Sequence, residues 1–173
     1  MDIRGKVVLV TGANRGLGKA FVTALLAAGA AKVYAGARDP ASVDIPGSTP
    51  IALDITDAAS VQHAAERCSD VSVVINNAGF LKYGSLLAED SVENLQQHFD
   101  VNTFGTLRVS RAFAPVLARH GGGALINVLS VLSWLSPPGA GGYSTSKSAQ
   151  WGLTNGPGTC EPVPLHFHQS YMN

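Results

Sequence analysis

Tyr143 and Lys147 are the sharpest chemical pair in the chain, because a Y-x-x-x-K spacing on a helix puts both side chains on one face. A free phenol has a pKa near ~10, too high to exchange a proton readily at neutral pH. A neighbouring ammonium favours the phenolate, so Lys147 is expected to tune Tyr143 towards general acid/base work. Ser130 follows the apolar run ALINV and offers a hydroxyl that could hold a substrate carbonyl against that tyrosine. Taken alone, Y-x-x-x-K also arises by chance as a plain surface pair.

A second group of residues suits a phosphate-bearing ligand. Lys6 to Gly18 reads KVVLVTGANRGLG, an apolar strand run passing straight into a glycine-spaced turn and then a helix. Glycines there permit a tight turn and let the backbone approach a phosphate at the positive end of the helix. The spacing Gly12-x-x-x-Gly16-x-Gly18 is neither G-x-G-x-x-G nor a P-loop, and a merely structural turn is the alternative. Arg15 lies inside this turn, and Arg38 follows the second strand. An acidic residue at the latter place would bond an unmodified ribose, whereas arginine accommodates a 2′-phosphate. Ala37-Arg38 therefore favours NADP(H) over NAD(H), with Asp39 one position later pulling the other way. Two solvated surface arginines are the plain alternative.

The elements that must position these groups alternate. Strands are expected at Val7–Thr11, Lys32–Ala37, Ile51–Leu53, Val71–Ile75 and Ala124–Val128. Helices are expected from Gly16 to Ala28, from an Asp57 or Thr56 cap to Cys68, and from Gly142 to Asn155. A longer one, Val92–Arg119, follows a Ser91 cap and bends near Gly105. Such alternation implies right-handed crossovers and a parallel sheet, an α/β doubly wound domain over residues 1–155. Ligands bind such sheets at the carboxyl ends of the strands. That rule gathers Gly12 to Gly18, Arg38, Asp54, Asn76 to Gly79 and Ser130 along one edge. Gly156-Pro157 stops the last helix, and residues 156–173 read as an irregular tail.

Composition bounds the rest. The 173 residues suit one domain, and 46% hydrophobic against 14% charged residues means a well-buried protein. Twelve basic residues balance twelve acidic ones without clustering, which disfavours nucleic acid and anionic membrane as partners. With no membrane-length apolar run and no signal pattern, a cytoplasmic location is the default expectation. Cys68 and Cys160 form no metal or redox spacing, and His166-x-His168 lacks a third ligand, so no metal is expected. His63, His98 and His120 are expected to be solvated. Trp134 and Leu135, with Pro137-Pro138, suit an apolar substrate pocket or plain packing.

Thr11-Gly12-x-x-x-Gly16-x-Gly18, Asp54 in LDIT, Asn76-Asn77-Ala78-Gly79, Asn102 in VNTFG, Ser130 and Tyr143-x-x-x-Lys147 stand together in the order and spacing of one family. Over about residues 5–155 the chain resembles the short-chain dehydrogenase/reductases. The resemblance implies a Rossmann-type sheet and reversible hydride transfer between NAD(P)(H) and a small carbonyl or alcohol substrate. It makes Tyr143 the general acid/base and Ser130 the group steadying the substrate oxygen. Lys147 would hold the nicotinamide ribose and lower the tyrosine pKa, and Asn102 would support a proton relay through water. Cofactor contacts are implied for Gly12, Asn14, Arg15, Gly16, Leu17, Gly18, Arg38, Asp54, Asn76, Ala78, Gly79, Tyr143 and Lys147.

The family pattern departs near Gly156, where a sixth strand, a substrate loop and a seventh strand are expected to be missing. A shifted reading frame or altered ending is the expected cause. The strand Ala124–Val128 would then be an exposed edge, the catalytic geometry would loosen, and the family's common dimer would be in doubt. Two other readings stay open: a nucleotide-binding protein without turnover, and an inactive fragment.

Overall fold

A computed structural model describes residues 2–156 and the backbone path of residues 165–170. The sheet is the expected doubly wound, all-parallel Rossmann type. Its strands are β1 (Val7–Thr11), β2 (Lys32–Ala37), β3 (Thr49–Ala52), β4 (Val73–Asn76), β5 (Gly123–Val128) and β6 (Leu165–Ser170), in the order β3-β2-β1-β4-β5-β6. Helices α1 (Gly16–Ala27), α2 (Ala58–Arg67), α3 (Ser91–His98), α4 (Thr106–Arg119) and α5 (Gly141–Asn155) make the crossovers.

β1 sits centrally because both of its faces are apolar. Val8 and Val10 join Val22 and Leu25 of α1 in one buried cluster, with Val33, Val73 and Ile75. Leu9 points the other way, into a cluster with Val61 of α2 and with Val109, Phe113 and Leu117 of α4. The period-2 alternation of a strand thus feeds two helical layers. Fully burying each such side chain contributes about 1.5–3 kcal/mol.

Boundaries shift where tertiary contacts intervene. β4 begins at Val73 because Val71 N–H closes a turn onto Cys68 O (3.2 Å). Ser91 is the first residue of α3 and not its cap; Asp90 precedes it, its carboxylate drawn to Lys82 Nζ (2.9 Å) instead of the helix end. The expected long helix with a bend is interrupted by a π-helical segment, Phe99–Gly105, which holds Asn102. Such segments re-aim side chains within a helix.

The far edge corrects two expectations. Residues 165–170, expected to be irregular, form β6, paired parallel with β5 from Gly123↔Leu165 to Val128↔Ser170. A strand therefore does run beside β5, and that edge is covered along its length. An unpaired strand is a template for any chain that reaches it, and LHFHQS alternates apolar and polar residues in its first four positions. Cys160, the Pro157-Gly158 pair and the side chains of His166 and His168 lie outside the described residues. No helix among the described residues is long and apolar enough to cross a membrane.

Candidate active site

The β1–α1 turn packs against the exit of β4 with no room to spare. Gly12 has φ 65°, a left-handed conformation, and a Cβ on it would lie 2.9 Å from Ala78 Cα. A Cβ on Gly18 would lie 2.1 Å from Gly12 O and 2.7 Å from Asn77 Nδ2. Asn77 locks the turn by donating from Nδ2 to Thr11 O (2.9 Å) and Gly12 O (3.2 Å). Thr11 Oγ1 accepts from the N–H groups of Asn77 and Ala78 (3.0 Å each). Arg15 caps α1 by position without a side-chain bond, and the first turn holds no acidic residue. The leading N–H groups of α1 are thus left for an anion.

These residues line a cleft of ≈ 590 Å³ at the carboxyl ends of β1–β4. Gly12, Asn14, Arg15, Gly16, Leu17, Gly18, Arg38, Asp54, Ala78 and Gly79 all face it. Asn76 does not. It is buried between strands, donating to Asn127 Oδ1 (2.9 Å) and Ser110 Oγ (3.3 Å), which braces β4 against β5 as the resemblance implies for the sheet, while its expected place against the cofactor departs from the cleft lining. Asn77, within the Asn76 to Gly79 stretch expected at this edge, lines the cleft. The residue just past the strand is the one turned outward.

At the β3 end of the cleft, Asp54 Oδ1 accepts from Thr56 N (2.9 Å) and Thr56 Oγ1 (2.7 Å). Burial pushes the Asp54 carboxyl up, but the two Thr56 bonds and the charges of Arg38 and Arg108 outweigh it and leave the pKa lowered. Asp39 caps a short 3₁₀ turn by accepting from Ala41 N–H (3.0 Å). Ser42 in that turn accepts from Asn14 Nδ2 (3.2 Å) and also faces the cleft, a contact that no sequence spacing suggested. Arg38 makes no salt bridge among the described residues.

A second recess of ≈ 290 Å³ adjoins the first, sharing Leu17, Asn77 and Gly79 with it. Ser130, Tyr143 and Lys147 line it together. Ser130 Oγ accepts from Leu132 N–H (3.1 Å), fixing its rotamer, and lines the recess beside the Tyr143 phenol. Burial raises the phenol pKa, the Ser130 hydroxyl opposes that, and the nearby Tyr83 adds to it; the net shift is upward. The expected lowering by Lys147 is therefore corrected. Lys147 Nζ lies 5.8 Å from the ring centroid and is turned to Val128 O (2.9 Å) and Gln150 Oε1 (2.7 Å), so burial dominates at the phenol.

Asn102 is fully buried, with its amide engaged by the protein. It accepts from Phe80 N–H (2.7 Å) and donates to Phe80 O (2.9 Å) and Ser146 Oγ (2.9 Å). His98, expected to be solvated, is also fully buried, stacked near Phe80 and edge-on to Tyr143 at 6.3 Å. Its Nδ1 meets Asn94 O (2.7 Å) and its Nε2 meets Lys82 N–H (3.2 Å), which fixes a neutral Nδ1–H ring. It thereby pins the chain leaving β4 to α3.

Burial also brings the Lys147 ammonium pKa down to about 8. With the native value below the unfolded one, the unfolded chain binds more protons in that window, so stability rises with pH. Between about pH 8 and 10 this lysine is expected to add about 2 kcal/mol of stability. Burial of the Cys68 thiol acts in the opposite sense over the same range, so the Lys147 contribution is read as a difference: urea unfolding should show the native chain gaining about 2 kcal/mol on Lys147→Met between about pH 8 and 10.

The short chain dehydrogenase family model matches residues 6–158. A short chain dehydrogenase of Monascus ruber, pigC, is 39% identical over 170 residues, covering 86% of this chain and 55% of that protein. A short chain dehydrogenase from Burkholderia cenocepacia, solved in complex with NADP, superposes with a TM-score of 0.86 at 42% identity, over 90% of this chain and 66% of that one. The ligand-free aldohexose dehydrogenase of Thermoplasma acidophilum gives a TM-score of 0.88 at 28% identity, over 97% of this chain and 66% of that one. The chain thus spans about half the length of the Monascus relative, 55%.

Proposed function

The chain belongs to the short-chain dehydrogenase/reductase family, and from that premise we propose that it transfers a hydride between NADP(H) and a small carbonyl or alcohol substrate. The observation that carries the reading is the meeting of Ser130, Tyr143 and Lys147 in a recess continuous with the glycine-walled cleft. The cleft fits a dinucleotide: a Cβ at Gly12 or Gly18 would fill the turn, and the start of α1 leaves donors for a diphosphate. Gly12 to Gly18 would hold the diphosphate, Asp54 the adenine, and Arg38 with Arg15 the 2′-phosphate. The carboxylate of Asp39 is engaged by Ala41, which supports Arg38 as the selecting residue. The relative solved with NADP supports the same choice.

When bound, the nicotinamide supplies the hydride. The chain supplies the proton. With its pKa raised, the Tyr143 phenol is protonated at neutral pH and is set to donate to the carbonyl oxygen as that oxygen gains charge. Ser130 donates to the same oxygen and Lys147 supplies positive charge beside the tyrosine. Asn102, its amide fixed between Phe80 and Ser146 of α5, would support the proton relay through water from that place. The exposed Tyr83, Leu86, Trp134 and Leu135 suit an apolar substrate.

The test pairs activity with cofactor choice. The purified chain should oxidise NADPH in the presence of apolar ketones or aldehydes. Arg38→Asp should lower the NADPH-over-NADH affinity ratio by about 100-fold, because a charge-assisted bond is replaced by repulsion. An unchanged ratio would remove Arg38 from the 2′-phosphate site.

A further inference from the structure

Lys147 is a buried cation without a carboxylate beside it. It is 4% exposed and enters none of the ion pairs among the described residues. Two acceptors hold its ammonium, Val128 O at 2.9 Å and Gln150 Oε1 at 2.7 Å. The first is backbone at the end of β5, which any residue there would provide. The second depends on what stands at position 150.

Gln150 is fully buried and does not line the substrate recess. An amide at such a place costs stability unless every polar atom finds a partner. Here the partners also decide its orientation. The Thr106 hydroxyl has one hydrogen, and it goes to Asn102 O (3.0 Å). Thr106 Oγ1 can then only accept from Gln150, whose Nε2 lies 3.0 Å away. With Nε2 committed to Thr106, Oε1 faces Lys147. The chain of bonds runs from the π-helical segment through α4 to α5, and each member fixes the next.

We propose that Gln150 is a positioning residue for Lys147: anchored by Thr106, its amide oxygen fixes the ammonium beside Tyr143 and holds it in the charged form. The kinetic consequence rests on the hydride-transfer reading; the bond chain itself does not. The titratable group facing Lys147 is Tyr143, one turn back on α5. β5 presents a carbonyl and α4 presents Thr106 by way of Gln150, and the downward pull on the lysine comes from burial alone. At a pKa of about 8, loss of one acceptor changes how much lysine is charged near neutral pH.

Gln150→Met keeps the volume and removes the oxygen; Gln150→Glu keeps an acceptor and adds charge. Two readouts are needed in both variants and the native chain. One is the titration of 15Nζ-labelled Lys147 by NMR, its signal assigned by loss in Lys147→Met. The other is the pH profile of NADPH-dependent carbonyl reduction. In Gln150→Met the Lys147 midpoint and the alkaline limb of the profile should both fall by about one to two pH units, and in Gln150→Glu both should rise. A residue that served packing alone would alter melting temperature and move neither. Identical Lys147 titration in all three proteins overturns the proposal. If Gln150→Met does not fold, an upward shift in Gln150→Glu supports it and an unmoved midpoint rejects it. Shifted midpoints without turnover in any form would reject the hydride-transfer reading and leave the positioning role standing.

Discussion

Tyr143→Phe should lower kcat for carbonyl reduction by about 1,000-fold while leaving NADPH affinity within about twofold. The asymmetry follows from where the hydroxyl sits. The ring packs edge-on to His98 (6.3 Å between centroids), a contact phenylalanine keeps. Tyr143 lines the recess together with Ser130, so removal of its hydroxyl takes away the proton donor and little else. The glycine-walled cleft that would hold the dinucleotide is built from β1–β4 and does not include Tyr143. Steady-state kinetics with NADPH fluorescence titration separates the two quantities. Retained turnover would move the acid/base role to another group.

Gly18→Ala should destabilise the fold by about 3 kcal/mol and weaken NADPH binding at least about tenfold. Its Cβ would lie 2.1 Å from Gly12 O and 2.7 Å from Asn77 Nδ2, so the β1–α1 turn and the β4 exit must part. Backbone cannot give way as a flexible side-chain end does. The same motion opens the Asn77 bonds to Thr11 O and Gly12 O that hold the turn. Gly152→Ala is the matched control. It lies within α5, and its Cβ would meet no atom within 4 Å. There the helix propensity of alanine should add about 0.8–1 kcal/mol. Thermal and urea unfolding of both variants gives the two signs; a neutral Gly18→Ala would mean that the turn is looser than its contacts imply.

What could be read without coordinates was local. The strand Val7–Thr11, the turn and α1 follow one another within a few residues, and propensity, glycine spacing and burial agree there. The alternating pattern was enough for the parallel order, and the carboxyl-edge rule brought Gly12–Gly18, Arg38, Asp54 and Ser130 to one edge. Sidedness was not legible at the end of β4. Whether Asn76 or Asn77 turns outward depends on where the strand stops, and Val73–Asn76 ends one residue later than the apolar run suggests. β6 was missed because its pairing with β5 is non-local and nothing in LHFHQS names its partner. The direction of the Tyr143 shift failed for a related reason. The four-residue spacing to Lys147 foretells a nearby charge, but not the burial of the phenol or the turn of the ammonium towards Val128 and Gln150. His98 reads as a polar helix residue, and only the packing of Phe80 and Tyr143 around it explains why it is buried.

Thermal unfolding of the purified chain, alone and with NADPH or NADH, tests the central claim most directly. A ligand that binds the native state must raise the midpoint by mass action. The expected result is one cooperative transition, raised by about 5–10 °C at about a hundredfold excess of NADPH over Kd and by less with NADH. A transition indifferent to both dinucleotides would contradict the claim that Gly12–Gly18, Arg38 and Asp54 form a working NADP(H) site in this chain.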